Sequence, residues 1–134
     1  VVVTEHTPEK LGPTIPELAP LLAGTAPIRK ESFSCSAVPA FTDALAAADR
    51  RQILLPGLEA HICVYQTALD LIEAGYELHI VADAVSSRTA RNRELALERL
   101  RREGASITST ETVLFELLKT AADPRFKAIF RLVK

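Results

Sequence analysis

One of the two cysteines of this chain lies where an apolar strand gives way to a helix. It is Cys63, in the segment GLEAHICVYQTALDL from Gly57 to Leu71. The first turn of a helix has unpaired N–H groups and a positive field, and both favour a thiolate over a thiol. The same N–H groups could hold a developing oxyanion, and losing one such donor costs roughly 3–4 kcal/mol. The position therefore suits covalent acyl chemistry, although a free cysteine also commonly packs as a small buried hydrophobe.

Other side chains near Cys63 could take part in such chemistry or have ordinary roles. Glu59 is a candidate general base or an exposed loop glutamate, and His61 is a candidate base or a capping residue. Lys30, in IRKESFSCS, would lower the pKa of a neighbouring thiol, whereas a lone lysine is usually a surface residue. Cys35 is not at a helix start, so we expect it to pack in the core. No second cluster of ligands follows His61 and Cys63, so we predict no metal site.

Composition excludes several classes of protein. A chain of 134 residues suggests one domain with a core large enough to fold alone. A net charge of −1 gives no sign of a nucleic-acid partner, and the longest apolar runs are far shorter than a membrane span. From the charge and the apolar runs we predict neither a nucleic-acid nor a membrane partner. Because the chain has only two cysteines and no visible secretory signal, we predict a cytoplasmic protein.

Hydrophobic periodicity predicts strands and helices that alternate along the chain. The predicted strands are residues 1–5, 52–55, 78–82 and 106–108, and the predicted helices are 38–49, about 61–74, about 88–103, 113–120 and one that begins at Asp123-Pro124. This order predicts an α/β fold, a three-layer α/β/α Rossmann-like parallel sheet with right-handed crossovers. Ligands bind at the carboxyl ends of strands in such sheets, and Cys63 lies just past one.

Local signals predict where these elements begin and end. Residues 6–27 contain five prolines and are predicted to be irregular, with one helical turn near 17–22. Pro56-Gly57 predicts a break after the second strand, and Gly75 a helix stop. Ser86 or Ser87 is a candidate helix cap, and Thr108 and Glu111 have the spacing of a capping box.

The first predicted strand begins with three β-branched residues, Val1, Val2 and Val3. Such a run suits a strand that is covered on both faces and has neighbours in a sheet. We therefore expect at least one element that precedes Val1 to be missing from this sequence. On this interpretation residues 1–134 form a single domain that is incomplete at its N-terminus.

Five segments together resemble the isochorismatase-like cysteine hydrolases. GLEAHICVYQTALDL and GYELHIVADAVSSR carry the strongest likeness. LGPTIPEL, KESFSC and TETVLFELLKTAADPRFKAI resemble the subgroup of isochorismatase domain-containing proteins. The likeness extends over the whole chain and the segments agree in order, which makes it specific.

The resemblance implies a Cys–Lys–Asp catalytic set. Cys63 matches the nucleophile of G-x-E-A-H-x-C, and Lys30 matches the lysine of K-x-S-F-S. The resemblance also implies a non-proline cis peptide at Leu58–Glu59, with the backbone N–H groups of Glu59 and Cys63 directed at an oxyanion. The aspartate of the family ends its first strand in an apolar-Asp-x-Gln pattern, which this sequence does not contain. The resemblance implies that a first strand and helix are missing here, and we expect the aspartate on that strand.

These observations lead to one leading functional prediction and two alternatives. We expect a hydrolase that acts on C–N bonds other than peptide bonds, cleaving a small amide or related bond through the Cys63 thiolate. Phe33 and His61 are expected to contact this small-molecule substrate; no cofactor is predicted, and we expect a homo-oligomer. The alternatives are a non-catalytic oligomerisation or binding module that retains the fold, and a redox-responsive thiol protein.

Overall fold

The computed structural model describes residues Val1–Lys134. The strands are β1 (Thr4–His6), β2 (Ile28–Lys30), β3 (Gln52–Leu58), β4 (Glu77–Ser86) and β5 (Ser106–Thr108). The α-helices are α1 (Pro8–Leu11), α2 (Pro39–Ala48), α3 (Tyr65–Glu73), α4 (Ala90–Arg102), α5 (Thr110–Leu118) and α6 (Phe126–Leu132). There are also two 3₁₀ turns, Ala19–Leu22 and Cys35–Ala37, and a π-helical turn, Ala60–Val64. None of the helices is long and apolar enough to cross a membrane.

All strand pairs are parallel, and they form two sheets. β1 pairs with β2, and β3, β4 and β5 are neighbours in that order. Helices connect successive strands of the second sheet, which confirms the predicted α/β, Rossmann-like class.

The hydrophobic core lies where the second sheet meets α3 and α4. Leu71 of α3, Ile80 of β4 and Leu100 of α4 are its largest fully buried side chains of apolar character. Each such side chain contributes about 1.5–3 kcal/mol when it is removed from water. The turn that follows β3 and carries Cys63 contributes two buried residues to this core, Ala60 and Val64.

The first strand differs from its prediction. β1 covers Thr4–His6, while Val1 is fully exposed and Val2 and Val3 are half-buried. The ladder begins only where Ile28 N–H donates to the carbonyl of Val3 at 2.8 Å. β1 has a partner on one side only, so the valines are not covered as predicted. β2 itself was not predicted, because three residues are too few to show a periodic pattern.

The predicted break at Pro56-Gly57 is also wrong, because β3 continues through it to Leu58. The register against β4 shifts between Leu55 and Gly57, and Pro56 is left without a ladder partner. One residue of β3, Pro56, lies opposite four residues of β4, positions 81–84. Proline has no N–H to donate, so it is tolerated at such an irregularity in the ladder. β4 extends to Ser86 to match the longer β3.

The cap of α4 is Thr89, not Ser86 or Ser87. The hydroxyl of Thr89 accepts a hydrogen bond from Asn92 N–H at 3.2 Å. Ser86 is the last residue of β4, since the strand runs four residues past its predicted end at 82. A serine paired in a ladder cannot also begin the following helix.

The cap of α5 lies one residue later than predicted. Ser109 accepts a hydrogen bond from Thr112 N–H at 3.2 Å, and Thr108 belongs to β5, so the capping box with Glu111 does not form.

The ends of three other segments can also be compared with prediction. α6 begins at Phe126 rather than at Asp123, whose carboxylate accepts from Arg125 N–H in the turn before it. Gly75, at φ 87°, follows the end of α3 as predicted. The turn predicted near 17–22 is the 3₁₀ turn Ala19–Leu22.

Candidate functional site

Cys63 lies in the π-helical turn that joins β3 to α3. The N–H groups of Ile62 and Val64 both donate to the carbonyl of Glu59, at 3.0 and 3.2 Å, which sets the wide geometry of the turn. Cys63 is half-buried and has no disulfide partner. Because it lies at the carboxyl edge of the sheet and is partly exposed, it is not the fully buried hydrophobe that the alternative interpretation required.

Glu59 immediately precedes this turn, and the Leu58–Glu59 peptide bond is cis, as the resemblance implied. Its carboxylate accepts hydrogen bonds from the backbone N–H and the guanidinium of Arg88, the shortest at 2.6 Å. The side-chain hydrogen bond from Arg88, followed by that from its backbone, lowers the pKa of Glu59 from 4.5 to about 2. A carboxylate with so low a pKa is a poor general base near neutral pH. Glu59 instead ties the π-helical turn to the loop that precedes α4.

His61 makes a second link between the same two regions. Its Nδ1 is 3.0 Å from Ser87 Oγ, and its Nε2 is 3.3 Å from Nδ2 of Asn92. The amide nitrogen of Asn92 can only donate, so Nε2 is the acceptor in this contact, and Nδ1 faces the hydroxyl of Ser87. Both ring nitrogens are therefore engaged within the protein. Contact between His61 and a substrate stays a prediction. Because both ring nitrogens contact protein groups, a substrate would have to pack against the face of the imidazole ring.

Lys30 is the last residue of β2 and is only 6% exposed. Its ammonium donates to the carbonyls of Ser32 and Phe33, at 2.9 and 3.0 Å. It belongs to none of the ion pairs of the structure. Lys30 is thus not the surface lysine of the alternative interpretation. Burial of an ammonium is costly unless acceptors surround it, so these carbonyls stabilise its position.

The segment that follows Lys30 is attached to α3 by hydrogen bonds. Cys35 N–H donates to Thr67 Oγ1 at 2.9 Å, and Ser34 Oγ donates to Asp70. Thr67 is one helical turn beyond Cys63, so the lysine-bearing segment is fixed to the helix that begins at the cysteine. Cys35 is buried in the hydrophobic core, as predicted.

The aromatic ring of Phe33 lies at the surface beside this segment, and the residue is 51% exposed. Its centroid is 5.8 Å from that of His6, with the planes inclined at 33°. Sequence analysis did not identify His6, because its role depends on a strand pair that was not predicted. No group of three or more His, Cys, Asp or Glu side chains converges as metal ligands would.

The fold and these residues define a class: a Rossmann-like α/β protein with a half-buried cysteine at the carboxyl edge of its sheet and a buried lysine on an adjoining segment. The Isochorismatase domain model matches residues 1–112. The chain therefore belongs to the isochorismatase family, as the resemblance predicted.

Two curated relatives are similar to nearly the whole of this chain. It is 43% identical over 139 residues to the secreted isochorismatase effector Isc1 of Phytophthora sojae, covering 100% of this chain and 66% of the relative. It is 44% identical over 132 residues to isochorismatase domain-containing protein 2 of Danio rerio, covering 98% of this chain and 66% of the relative. The chain thus spans 66% of the length of each of these two proteins.

A solved structure agrees with the fold. The MAR1 ribonuclease of Caenorhabditis elegans superposes with a TM-score of 0.89 at 38% identity, covering 98% of this chain and 68% of that one. The likeness extends over nearly the whole chain and includes both parallel sheets.

Proposed function

We propose that this chain is the larger part of a cysteine hydrolase that cleaves a small amide or a related C–N bond. Membership of the isochorismatase family supports a hydrolase-type function. The observation that supports the finer proposal is that a half-buried thiol, Cys63, and a buried ammonium, Lys30, lie on two segments of the chain. The hydrogen bond from Cys35 N–H to Thr67 joins these segments one helical turn beyond Cys63. A positive charge near the sulfur favours the thiolate.

In the first half of the reaction, the Cys63 thiolate attacks the carbonyl carbon of the amide, and the C=O electron pair moves to oxygen. Backbone N–H groups at Glu59 and Cys63 hold the resulting oxyanion. When the tetrahedral intermediate collapses, the C–N bond breaks, the nitrogen takes the proton that the catalytic base had removed from the thiol, and ammonia or an amine leaves. A thioester remains on Cys63.

In the second half, water attacks the thioester carbon and loses a proton to the catalytic base. The C–S bond breaks, a carboxylic acid is released, and the thiolate is regenerated. The net reaction is amide plus water to carboxylic acid plus ammonia or amine. The positive charge of Lys30 stabilises the Cys63 thiolate and, when it is ionised, the carboxylate of the catalytic base.

The base of this proposal is an aspartate on a strand that precedes Val1 in a longer protein. The two sheets, β1–β2 and β3–β4–β5, are not hydrogen-bonded to each other, and β3 has a neighbouring strand, β4, on one side only. Leu58 of β3 is 69% exposed, although it belongs to an apolar strand. A strand between β1 and β3 would join the two sheets and carry its carboxylate to their carboxyl edge, near Lys30. Residues 1–134 are on this proposal an N-terminally incomplete domain.

The test is release of ammonia from a panel of small amides that includes nicotinamide. The longer protein, with its preceding segment, is expected to hydrolyse at least one of them, and Cys63→Ala is expected to lower the rate by about 10³-fold or more. Cys35→Ala, which removes the other thiol, is the control and should retain activity. Undiminished hydrolysis by Cys63→Ala would rule out the covalent mechanism.

A second candidate activity is favoured by the name of one relative, the ribonuclease of Caenorhabditis elegans. The same samples are therefore assayed with a labelled single-stranded RNA. Cleavage of RNA without hydrolysis of any amide would replace the proposed C–N specificity with phosphodiester cleavage. The small-molecule substrate, homo-oligomeric assembly and cytoplasmic location stay predictions, and light scattering would give the number of subunits.

A further inference from the structure

The pairing of β1 with β2 brings His6 beside Lys30. The two residues end their strands and are opposite each other in the parallel register. The N–H of Thr7 donates to the carbonyl of Lys30 at 3.0 Å, so the pairing continues past both. Nδ1 of His6 is 3.5 Å from the Lys30 ammonium nitrogen.

An ammonium group has three N–H donors and no acceptor. Two of them are directed at the carbonyls of Ser32 and Phe33, and the third faces Nδ1 of His6. For Nδ1 to accept this donor, it must be the unprotonated nitrogen, with the ring proton on Nε2. The contact to His6 is the longest of the three.

The other contact of the His6 ring is with Phe33, the half-exposed aromatic residue of the site. A single ring therefore touches both the buried cation and a surface at which a substrate would arrive. Neither contact forms without the β1–β2 pair.

We propose that His6 is a positioning residue for Lys30. Its Nδ1 accepts the third N–H and holds the ammonium in the orientation from which it acts on the Cys63 sulfur. This step rests on the proposed function, because it assigns Lys30 to the thiolate. The requirement is for an acceptor at the position of Nδ1, not for an aromatic ring.

Two variants separate these requirements. His6→Asn keeps an acceptor near the position of Nδ1, whereas His6→Phe keeps the ring against Phe33 and removes the acceptor. His79→Phe is the matched control, since His79 is a half-buried histidine in the amino-terminal half of β4. The measurement is the rate at which iodoacetamide alkylates Cys63 near neutral pH, followed by mass spectrometry of its peptide.

The loss of one hydrogen bond predicts alkylation about fivefold slower in His6→Phe. His6→Asn and His79→Phe should stay within about twofold of the unaltered protein. An unchanged rate in His6→Phe, or equal slowing in His6→Phe and His6→Asn, would overturn the proposal.

A measurement on the unaltered protein decides the contact even if His6→Phe does not fold. In ¹⁵N NMR spectra at mildly alkaline pH, Nδ1 of His6 should be unprotonated and Nε2 should carry the proton. A proton on Nδ1 would contradict the assigned contact. If Cys63 in the unaltered protein reacts no faster than an ordinary thiol, the proposed hydrolase mechanism fails, and the tautomer of His6 is still decided by the spectra.

Discussion

The two parallel sheets of this molecule are stabilised in different ways. The cysteine side, formed by β3, β4 and β5 with α3 and α4, contains most of the buried residues. The lysine side, formed by β1, β2 and the segment between them, has one buried residue up to position 33, and that residue is Lys30. The cysteine therefore lies on a packed core, whereas the lysine is held by hydrogen bonds.

This difference has an energetic consequence. A buried aliphatic side chain contributes about 1.5–3 kcal/mol, whereas a typical hydrogen bond contributes about 1 kcal/mol net. The lysine side is thus the less stable half of the candidate site and depends on its attachment to α3. The predictions below test this comparison.

The largest effect is expected for Leu71→Ala on the cysteine side. Leu71 is 2% exposed, and its truncation leaves a cavity that should cost about 2–5 kcal/mol of unfolding free energy. The matched change on the lysine side is Leu21→Ala, where the residue is 80% exposed and the cost should stay below about 0.5 kcal/mol. Urea denaturation measures both, and equal losses would contradict the comparison.

Thr67→Val should have the next largest effect, because it removes the acceptor for Cys35 N–H in a buried contact. Leaving that donor unpaired is expected to cost about 1–3 kcal/mol. Hydrogen exchange should accelerate in residues 28–37 and stay unchanged in β4. Thr42→Val, at an exposed threonine of α2, is the control. Uniform acceleration across both sheets would show that they do not unfold separately.

Removal of a helix cap should have a smaller effect, confined to the cysteine side. Thr89→Ala deletes the hydroxyl that accepts from Asn92 N–H and should destabilise the protein by about 1 kcal/mol. Ser86→Ala changes an exposed serine of β4 and should be nearly neutral. Thermal unfolding of the two variants compares the cap seen in the structure, Thr89, with a cap that the sequence suggested, Ser86. A larger loss of stability in Ser86→Ala than in Thr89→Ala would reject the structural assignment.

The smallest effect is the pH dependence contributed by Glu59. Its pKa is about 2 in the folded protein and 4.5 ordinarily, so the folded state favours the ionised form. The resulting stabilisation is complete above pH 4.5 and is lost as the pH falls towards about 2. The stability difference between the unaltered protein and Glu59→Gln should therefore shrink over this range in acid denaturation. A difference that does not change with pH would mean that the Arg88 contact does not form in solution.

The lysine side also has a carboxylate with a lowered pKa, that of Glu5, so the acid sensitivity of the two sides can be compared. Hydrogen bonds from the backbone and then the hydroxyl of Thr14 lower the pKa of Glu5. Its stabilisation should likewise decrease as the solution is acidified. Glu5→Gln measures this contribution against that of Glu59.

Sequence patterns predicted the cysteine side well and the lysine side poorly. Helix α3 has Ala68 and Leu71 on its buried face and Gly75 after its end, so its periodicity and stop signal were both visible. Caps were misplaced where a strand ran longer than its apolar run, as at Thr89. β2 was not predicted, because the formation of a three-residue strand depends more on pairing with its neighbour than on its own composition.

The sequence alone determined the alternating strands and helices from β3 to α5, the junction at which Cys63 lies, and the likeness to the isochorismatase family. These features depend on local periodicity and on the order of short motifs, which can be read from neighbouring residues. The tertiary structure decided that β1 pairs with β2, that Lys30 is buried, and that His6 lies against its ammonium. Parallel pairing joins residues that are distant along the chain, such as Thr4 and Ile28, through backbone hydrogen bonds that any side chain permits. The sequence therefore has no local pattern that specifies this pairing.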